Sequence, residues 1–167
     1  PSDSLYVYRD FEIYRNDTKL GEGTTSWLTL NSDTRKPMKL DWSHFFADLD
    51  TTRKLSLEAP KIELQSNLEN VAKFQVRNSD IDMNAHVNNT KYAQWVLDSV
   101  PLENLKKYRL HEYEINFLAE AKTGDEITIQ KCMDLDLTLE KRWSNFQGLR
   151  TSDNKTVFSA RLLISDK

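Results

Sequence analysis

The segment Asp80–Trp95 carries polar side chains at alternate positions, namely Asp82, Asn84 and His86. The carboxylate and the imidazole can transfer protons, and the amide can donate and accept hydrogen bonds. In an extended loop, alternate side chains point to the same side, so these three groups are expected to meet. An apolar helix follows, and its first turn brings free backbone N–H groups to the same place. Such a set can activate a water molecule and polarise a carbonyl group. The segment therefore predicts a site where water attacks a carbonyl.

The composition is that of a globular protein and excludes several functional classes. The 167 residues are 38% hydrophobic with a net charge of −3, which argues against non-specific binding of nucleic acid. No apolar run approaches the ~20 residues of a membrane span, and the first residues are not a signal peptide. One cysteine, Cys132, excludes an intrachain disulfide, and the three scattered histidines predict no metal site, so no cofactor is expected. An intracellular soluble protein is expected.

Alternating apolar residues predict a β-hairpin at the start of the chain. A first strand runs through Val7–Ile13, a turn region covers Asn16–Gly23, and a returning strand covers Thr24–Asn31. The following residues, up to 71, are expected to form a connector that contains a short helix capped by Asp41.

A second β unit is expected to begin near Ala72. After its first strand and the polar loop, a helix is predicted from about Asn89 to Val100, ending before Pro101. Apolar residues cover much of this helix, so it is expected to be wrapped by other structure, with Tyr92 and Trp95 in the core. Further strands are predicted around Tyr113–Phe117 and Ile127–Ile129 and in a hairpin of Lys141–Thr151 and Thr156–Ser165.

The last hairpin resembles the first and suggests an internal duplication. On this interpretation, residues 1–36 are the C-terminal hairpin of a partial first unit, residues 37–71 are a linker, and residues 72–167 are a complete second domain. The alternative is a single domain with an extra hairpin.

Residues 82–92, Asp-Met-Asn-Ala-His-Val-Asn-Asn-Thr-Lys-Tyr, closely resemble the signature of the acyl-ACP thioesterases of plants and bacteria, and Trp95 and Asp98–Pro101 extend the match. Gly23–Trp27 and Thr34–Pro37 resemble the segment that joins the two hot-dog units of that family. The resemblance implies an α+β hot-dog fold, in which a curved antiparallel sheet wraps around a central helix. It also implies that the front of the first unit is absent from this chain.

The resemblance also implies the catalytic residues. It places an aspartate, an asparagine and a histidine at Asp82, Asn84 and His86, and a further carboxylate at Glu120, 34 residues beyond the histidine. Plant members have a cysteine after that carboxylate, where this chain has Ala121, so a cysteine–histidine mechanism cannot operate there.

Thioester hydrolysis assigns a role to each of these residues. Glu120 and His86 are expected to orient and deprotonate the attacking water, and Asn84 to hold the water or the thioester. Asp82 orients this network or, alternatively, attacks as a nucleophile.

Backbone N–H groups at Asn88 and Asn89, at the start of the helix, are expected to hold the oxyanion. Structural roles remain as alternatives for this part of the segment. Either asparagine suits a helix N-cap, and Asp82 suits an Asx turn.

An acidic carrier protein as substrate predicts a basic docking surface. One candidate is Lys106 and Lys107 with Arg109, and another is Arg35 and Lys36 with Lys39. An ordinary solvated face explains these residues equally well.

The function expected from the resemblance is release of free fatty acids from acyl-acyl carrier protein in fatty acid biosynthesis. The alternatives are an acyl-CoA thioesterase, a non-catalytic acyl-binding hot-dog domain and a dehydratase. The expected compartment is the bacterial cytoplasm, or the plastid stroma for a plant protein. Exposed sheet edges of a partial unit tend to pair, which predicts a homodimer.

Overall fold

The computed structural model describes residues 5–31, 33–34, 36–39, 54–133 and 138–167. The chain forms two compact units, Pro1–Pro60 and Lys61–Lys167. The second unit therefore begins before residue 72, the start expected for the second domain. The predicted short helix capped by Asp41 lies outside the described residues.

The first unit contains an antiparallel hairpin of β1, Tyr6–Arg15, and β2, Thr18–Leu28. Asn16, with a φ of 51°, and Asp17 make the whole turn, since asparagine adopts this left-handed conformation more readily than most residues. The predicted turn region that extended to Gly23 is wrong, because the two-residue turn already closes the hairpin and the glycine lies within β2.

The described residues of the second unit form a five-stranded sheet and two α-helices. Its elements are β3 Leu68–Gln75, a 3₁₀ turn Asn78–Asp80, α1 Asn89–Asp98, α2 Leu102–Lys107, β4 Tyr108–Phe117, β5 Glu126–Cys132, β6 Lys141–Arg150 and β7 Lys155–Asp166. The sheet order is β3-β5-β6-β7-β4, and all neighbours are antiparallel. The short helix α2 was not predicted. Across the described residues, none of the helices has both the length and the apolar character needed to cross a membrane.

Aromatic contacts show that the sheet curves around α1. Trp95 stacks on Phe74 of β3 with ring centroids 5.7 Å apart, and Tyr92 lies 5.7 Å from the ring of Phe117 in β4. β3 and β4 are the outer strands, and five strands in a flat sheet would span roughly 19 Å. A helix about 10 Å wide contacts both outer strands because the sheet bends around it. The second unit therefore has the predicted hot-dog arrangement.

One face of α1 is buried in this core. Tyr92, Trp95 and Val96 are 3%, 5% and 0% exposed, and their spacing of three and four residues places them on one stripe. The opposite face carries Leu97, which is 40% exposed, and the exposed Asp98. The expectation of a helix wrapped by other structure is therefore met on one side only, where the sheet and neighbouring loop residues such as Val87 and Ala121 share its core.

Asn88 caps the N-terminus of α1. Its Oδ1 accepts hydrogen bonds from the Thr90 N–H at 2.9 Å and from the Thr90 hydroxyl at 2.8 Å. The first bond satisfies one of the N–H groups that a helix leaves without an internal acceptor. The N-cap, one of the alternatives left open for this residue, is confirmed. The helix ends at Asp98, two residues before the predicted Val100.

The close packing between β6 and the neighbouring strand β7 requires a glycine at residue 148. Its register partner is Phe158 of β7, and a Cβ at residue 148 would overlap the Phe158 ring. That ring is 0% exposed, so it cannot move aside without disturbing the close-packed core.

The variant Asn88→Ala removes the cap of α1 and is expected to lower the free energy of unfolding by about 1 kcal/mol. Asn88→Asp is the matched control, because an aspartate offers the same capping oxygen and should stay near the wild-type stability. Denaturant unfolding of the three proteins measures the difference. An alanine variant as stable as the wild type would contradict a stabilising cap.

Gly148→Ala is expected to lower the free energy of unfolding by about 1–3 kcal/mol, because the added methyl group overpacks the core against Phe158. Gly23→Ala is the control, since a Cβ there would meet nothing within 4 Å. Thermal unfolding should show a lower midpoint for the first variant and little change for the second. Equal midpoints for both would show that the Phe158 ring has room to move.

Candidate active site

The polar loop between the 3₁₀ turn and α1 folds back on itself. Ile81 and Val87 form an isolated antiparallel bridge, and the Asp82 N–H donates to the His86 carbonyl at 2.9 Å. Ala85 has a φ of 60°, in the left-handed region that reverses the chain. The expectation that alternate side chains of an extended loop meet here is therefore wrong in its premise, because the loop is a tight turn.

Local hydrogen bonds hold Asp82 and leave Asn84 at the tip of the loop. Asp82 Oδ1 accepts from the Asn84 N–H at 2.8 Å, and the Asp82 carbonyl accepts from the Ala85 N–H at 3.1 Å. The first bond is that of an Asx turn, the structural alternative considered for Asp82. Asn84 is exposed and its neighbour Met83 is 98% exposed. Both tip side chains are therefore accessible to a ligand.

His86 and Glu120 lie side by side although 34 residues separate them in the chain. His86 Nε2 is 3.0 Å from Glu120 Oε2, and the two side chains are 28% and 43% exposed. At this distance the imidazole Nε2–H donates to the carboxylate. Because water reaches both groups, the pair can exchange a proton with a water molecule bound beside it.

Backbone hydrogen bonds bring Glu120 to the loop. The Val87 N–H donates to the Ala121 carbonyl at 2.9 Å, and on the other side the Leu118 N–H donates to the Val157 carbonyl at 2.8 Å. The buried side chain of Ala121 belongs to the core. The chain is thus attached to the loop on one side of Glu120 and to β7 on the other.

Arg150 and Asp153, which the sequence analysis did not single out, also lie against this segment. Arg150 Nη1 donates to the Glu120 carbonyl at 2.7 Å, and its Nε and Nη2 donate to the Asp153 carboxylate at 2.9 and 2.6 Å. Asp153 lies in the turn between β6 and β7. The spacing of the two residues around a turn could have predicted their ion pair, but no local pattern predicts the contact with a residue 30 positions earlier.

Tyr92 connects the core to the same segment. Burial raises the pKa of its phenol, while a hydrogen bond with the backbone of Ala121 acts in the opposite direction. The phenol therefore remains neutral at physiological pH. Tyr92 lies in the core as predicted and in addition holds a polar group beside the candidate site.

Asp80 organises the start of α1. It is 7% exposed, its Oδ2 accepts from the Arg77 N–H at 2.9 Å, and its Oδ1 is 3.3 Å from Lys91 Nζ. Its carbonyl accepts the Asn88 N–H at 2.8 Å. That bond corrects one prediction, because an N–H already bonded to Asp80 is not available to an oxyanion. The Asn89 N–H, in the first turn of the helix, remains the candidate donor.

The predicted docking residues Lys106, Lys107 and Arg109 lie at the opposite end of β4 from Glu120. The two lysines end α2, the arginine is the second residue of β4, and all three are exposed. An extended strand covers roughly 26 Å from Arg109 to the end of β4. In the alternative basic patch, Lys36 and Lys39 are exposed and Arg35 lies outside the described residues.

A cavity of about 250 Å³ opens at the C-terminal end of α1, and its lining includes Val71, Val100, Pro101, Met133 and Phe146. None of the predicted catalytic residues lines this cavity. Within the described ranges, no group of three or more His, Cys, Asp or Glu side chains is placed to hold a metal ion. The His86–Glu120 pair is therefore an open surface arrangement at the other end of the helix.

Relatives of known function are similar to this chain in sequence. The oleoyl-acyl carrier protein thioesterase, chloroplastic, of Coriandrum sativum is 29% identical over 133 residues, which is 73% of this chain and 35% of that protein. An acyl-[acyl-carrier-protein] hydrolase, chloroplastic, of Cuphea viscosissima is 28% identical over 166 residues, which is 92% of this chain and 39% of that protein. The chain thus spans little more than a third of these plant proteins.

Solved structures are similar as well. An acyl-ACP thioesterase from Bacteroides thetaiotaomicron matches with a TM-score of 0.79 and 27% identity, over 96% of this chain and 63% of that one. The 12:0-ACP thioesterase from Umbellularia californica matches with a TM-score of 0.73 and 16% identity, a likeness of fold. Both confirm the predicted hot-dog fold. Residues 64–159, more than half of the chain, match the acyl-ACP thioesterase C-terminal domain, and the chain therefore belongs to the acyl-ACP thioesterase family.

Proposed function

We propose that this chain hydrolyses the thioester of an acyl-acyl carrier protein and releases a free fatty acid. The observation that carries the proposal is the 3.0 Å contact between His86 Nε2 and Glu120 Oε2 in a member of this family. Relatives from Coriandrum and Cuphea are named for the same reaction on acyl-acyl carrier protein. The site supplies the acid–base pair that the reaction needs at a point open to solvent.

In the proposed reaction, a water oxygen attacks the thioester carbonyl carbon and its proton passes to the Glu120–His86 pair. The carbon–sulfur bond then breaks, and the departing thiolate takes up a proton from the same pair, so that one water yields one carboxylic acid and one thiol. The exposed Asn84 holds the water or the thioester. The Asn89 N–H is the proposed oxyanion donor. Asp82 orients the loop, a role supported by its Asx turn with Asn84.

The domain assignment is also a proposal. Residues 1–36 would be the C-terminal hairpin of a partial first hot-dog unit, followed by a linker and by the second, catalytic unit. The separate compact unit Pro1–Pro60 and its two-stranded hairpin support this assignment. The position of β3 extends the second unit to residue 68 or earlier.

The partner, compartment and assembly follow from the proposed reaction. The partner is acyl carrier protein, in the cytoplasm of a bacterium or in the plastid stroma of a plant, and similar proteins from both kinds of organism support these two compartments. A homodimer is supported by β1 and β2, which form a sheet of only two described strands and so leave open edges.

His86→Ala and Glu120→Gln are each expected to lower kcat by about 10²- to 10⁴-fold, because each removes one member of the acid–base pair. Release of fatty acid from a series of acyl-acyl carrier proteins measures this. Glu112→Gln changes an exposed carboxylate on β4, away from the site, and is the matched control that should retain wild-type turnover. Near-normal rates in both site variants would remove the assignment of this pair.

The same assay separates the competing functions. An acyl chain carried by acyl carrier protein should be hydrolysed faster than the same chain on CoA, and the reverse order would favour an acyl-CoA thioesterase. Binding of acyl groups without hydrolysis of either carrier would favour a non-catalytic binding domain.

Reversing the charge at both Lys106 and Lys107 with glutamate is expected to raise KM for acyl-acyl carrier protein about fivefold, because exposed ion pairs contribute up to ~1 kcal/mol each. The KM for the same acyl group on pantetheine is the internal control and should not change, since this substrate has no protein surface to dock. An unchanged KM for the carrier protein would assign the two lysines to an ordinary solvated face.

A further inference from the structure

The guanidinium of Arg150 contacts the backbone of the residue that carries the proposed catalytic carboxylate. Nη1 donates to the Glu120 carbonyl at 2.7 Å and lies 3.9 Å from Asp125 Oδ2, while the other nitrogens hold Asp153. We propose that Arg150 is a positioning residue that sets the Glu120 carboxylate against His86, and that Asp153 fixes the guanidinium for this purpose. The proposal rests on the proposed hydrolysis for its catalytic consequence.

Glu120 needs such a contact because it lies in a loop. The segment between β4 and β5 has no regular secondary structure around Glu120, and its carboxylate is 43% exposed. Arg150 holds the Glu120 carbonyl, while the adjacent Ala121 is held by the Val87 N–H and by the hydroxyl of Tyr92. Together these bonds fix the peptide on which the carboxylate stands. Without Arg150, the Glu120 carbonyl loses its charged donor and the side chain can drift from His86.

The arginine is itself held rigidly. Its side chain is 18% exposed, so solvent screens its interactions less than those of a surface residue. The Asp153 carboxylate accepts hydrogen bonds from Nε and Nη2 of Arg150 and also from the Lys155 N–H at 3.2 Å. The hydrogen bonds from Arg150 lower the pKa of Asp153 to about 2, so Asp153 remains ionised at any pH where hydrolysis would be measured.

The geometry also explains why the residue is arginine. Its planar group presents one edge to a carboxylate and another nitrogen to a carbonyl at the same time. A lysine has a single ammonium group, which cannot reach both Asp153 and the Glu120 carbonyl in the same fixed arrangement. Arg150→Lys therefore keeps the charge but is expected to lose the positioning.

Arg161 offers a matched control. It forms an equally short ion pair, with Nε 2.6 Å from Glu114 Oε2, and its side chain is 27% exposed. Its guanidinium also lies over the Trp143 ring, with Cζ 4.1 Å from the ring centroid. Neither contact involves the segment around Glu120, so Arg161→Gln removes a comparable ion pair without touching the site.

The experiment compares Arg150→Gln, Arg150→Lys and Arg161→Gln in the purified protein. Both Arg150 variants are expected to lower kcat by about 10- to 100-fold, with KM changed less than about twofold, since a small misplacement of a reacting group has effects of this size. Arg161→Gln should keep the wild-type kcat. Thermal unfolding of all variants separates this effect from a general loss of structure, and Arg150→Lys keeps the test valid if the glutamine variant fails to fold.

A double variant tests whether Arg150 acts through Glu120. Adding Arg150→Gln to Glu120→Gln should lower kcat no further, because the carboxylate that Arg150 positions is already gone. If the two losses multiply instead, or if both Arg150 variants keep the wild-type kcat, the positioning role is overturned.

A readout that needs no activity is the NMR signal of the His86 imidazole. Glu120→Gln changes its surroundings directly, and Arg150→Gln is expected to shift its resonances in the same direction, whereas Arg161→Gln should not. If the wild-type protein hydrolyses no thioester but the variants shift the His86 resonances in this way, the proposed function is contradicted and the positioning role of Arg150 is supported. An imidazole signal unaffected by both Arg150 variants overturns the positioning, whatever the activity.

Discussion

The hydrogen bond from the Val87 N–H to the Ala121 carbonyl, 2.9 Å long, is the contact on which the candidate site depends. It joins the end of the polar loop to the chain that leaves β4. This bond brings the imidazole of His86, one residue before Val87, next to the carboxylate of Glu120, one residue before Ala121. Val87 and Ala121 are buried, at 3% and 0% exposure, so water does not compete for the bond. The site is thus assembled on two buried backbone groups, while its reactive side chains face the solvent.

The core of the second unit gives that bond a rigid base. Val87, Ala121 and Tyr92 belong to the same buried cluster as Val96 and Phe158. Tyr92 contributes both to the core and to the site. Its ring centroid lies 5.4 Å from that of Phe158, and its hydroxyl forms a hydrogen bond with the backbone of Ala121. The same helix therefore fills the concave side of the sheet and supports the loop residues at its own N-terminus. Stability and site geometry are coupled here through shared residues.

The sequence allowed the fold and the pairing of His86 with Glu120 to be predicted, but by two different routes. The strands, the central helix and its cap at Asn88 follow from local patterns and short-range hydrogen bonds. Glu120 was identified only through the family resemblance, because a contact over 34 residues leaves no local pattern. The alternation of polar residues was a poor guide to the loop, since the left-handed conformation of Ala85 reverses the chain.

Other features of the site depend on tertiary contacts that no local pattern encodes. Arg150 approaches Glu120 because β6 lies beside β7 and the turn between them faces the loop after β4. The Asn88 N–H was expected to bind the oxyanion, but it donates its hydrogen bond to the Asp80 carbonyl instead. A helix start supplies free N–H groups in general, and which of them stays free is decided by the chain that precedes the helix.

Because residue 121 is an alanine, the proposed chemistry does not depend on a thiol at this position. The Ala121 methyl group is 0% exposed, and the one cysteine of the chain, Cys132, is 3% exposed with its thiol 3.8 Å from the Ser66 carbonyl. No cysteine thiol therefore takes part in the arrangement around His86 and Glu120. Reagents that inactivate enzymes by modifying a catalytic thiol find no such thiol at this centre. The hydrolysis proposed for this chain consequently does not depend on keeping a cysteine reduced.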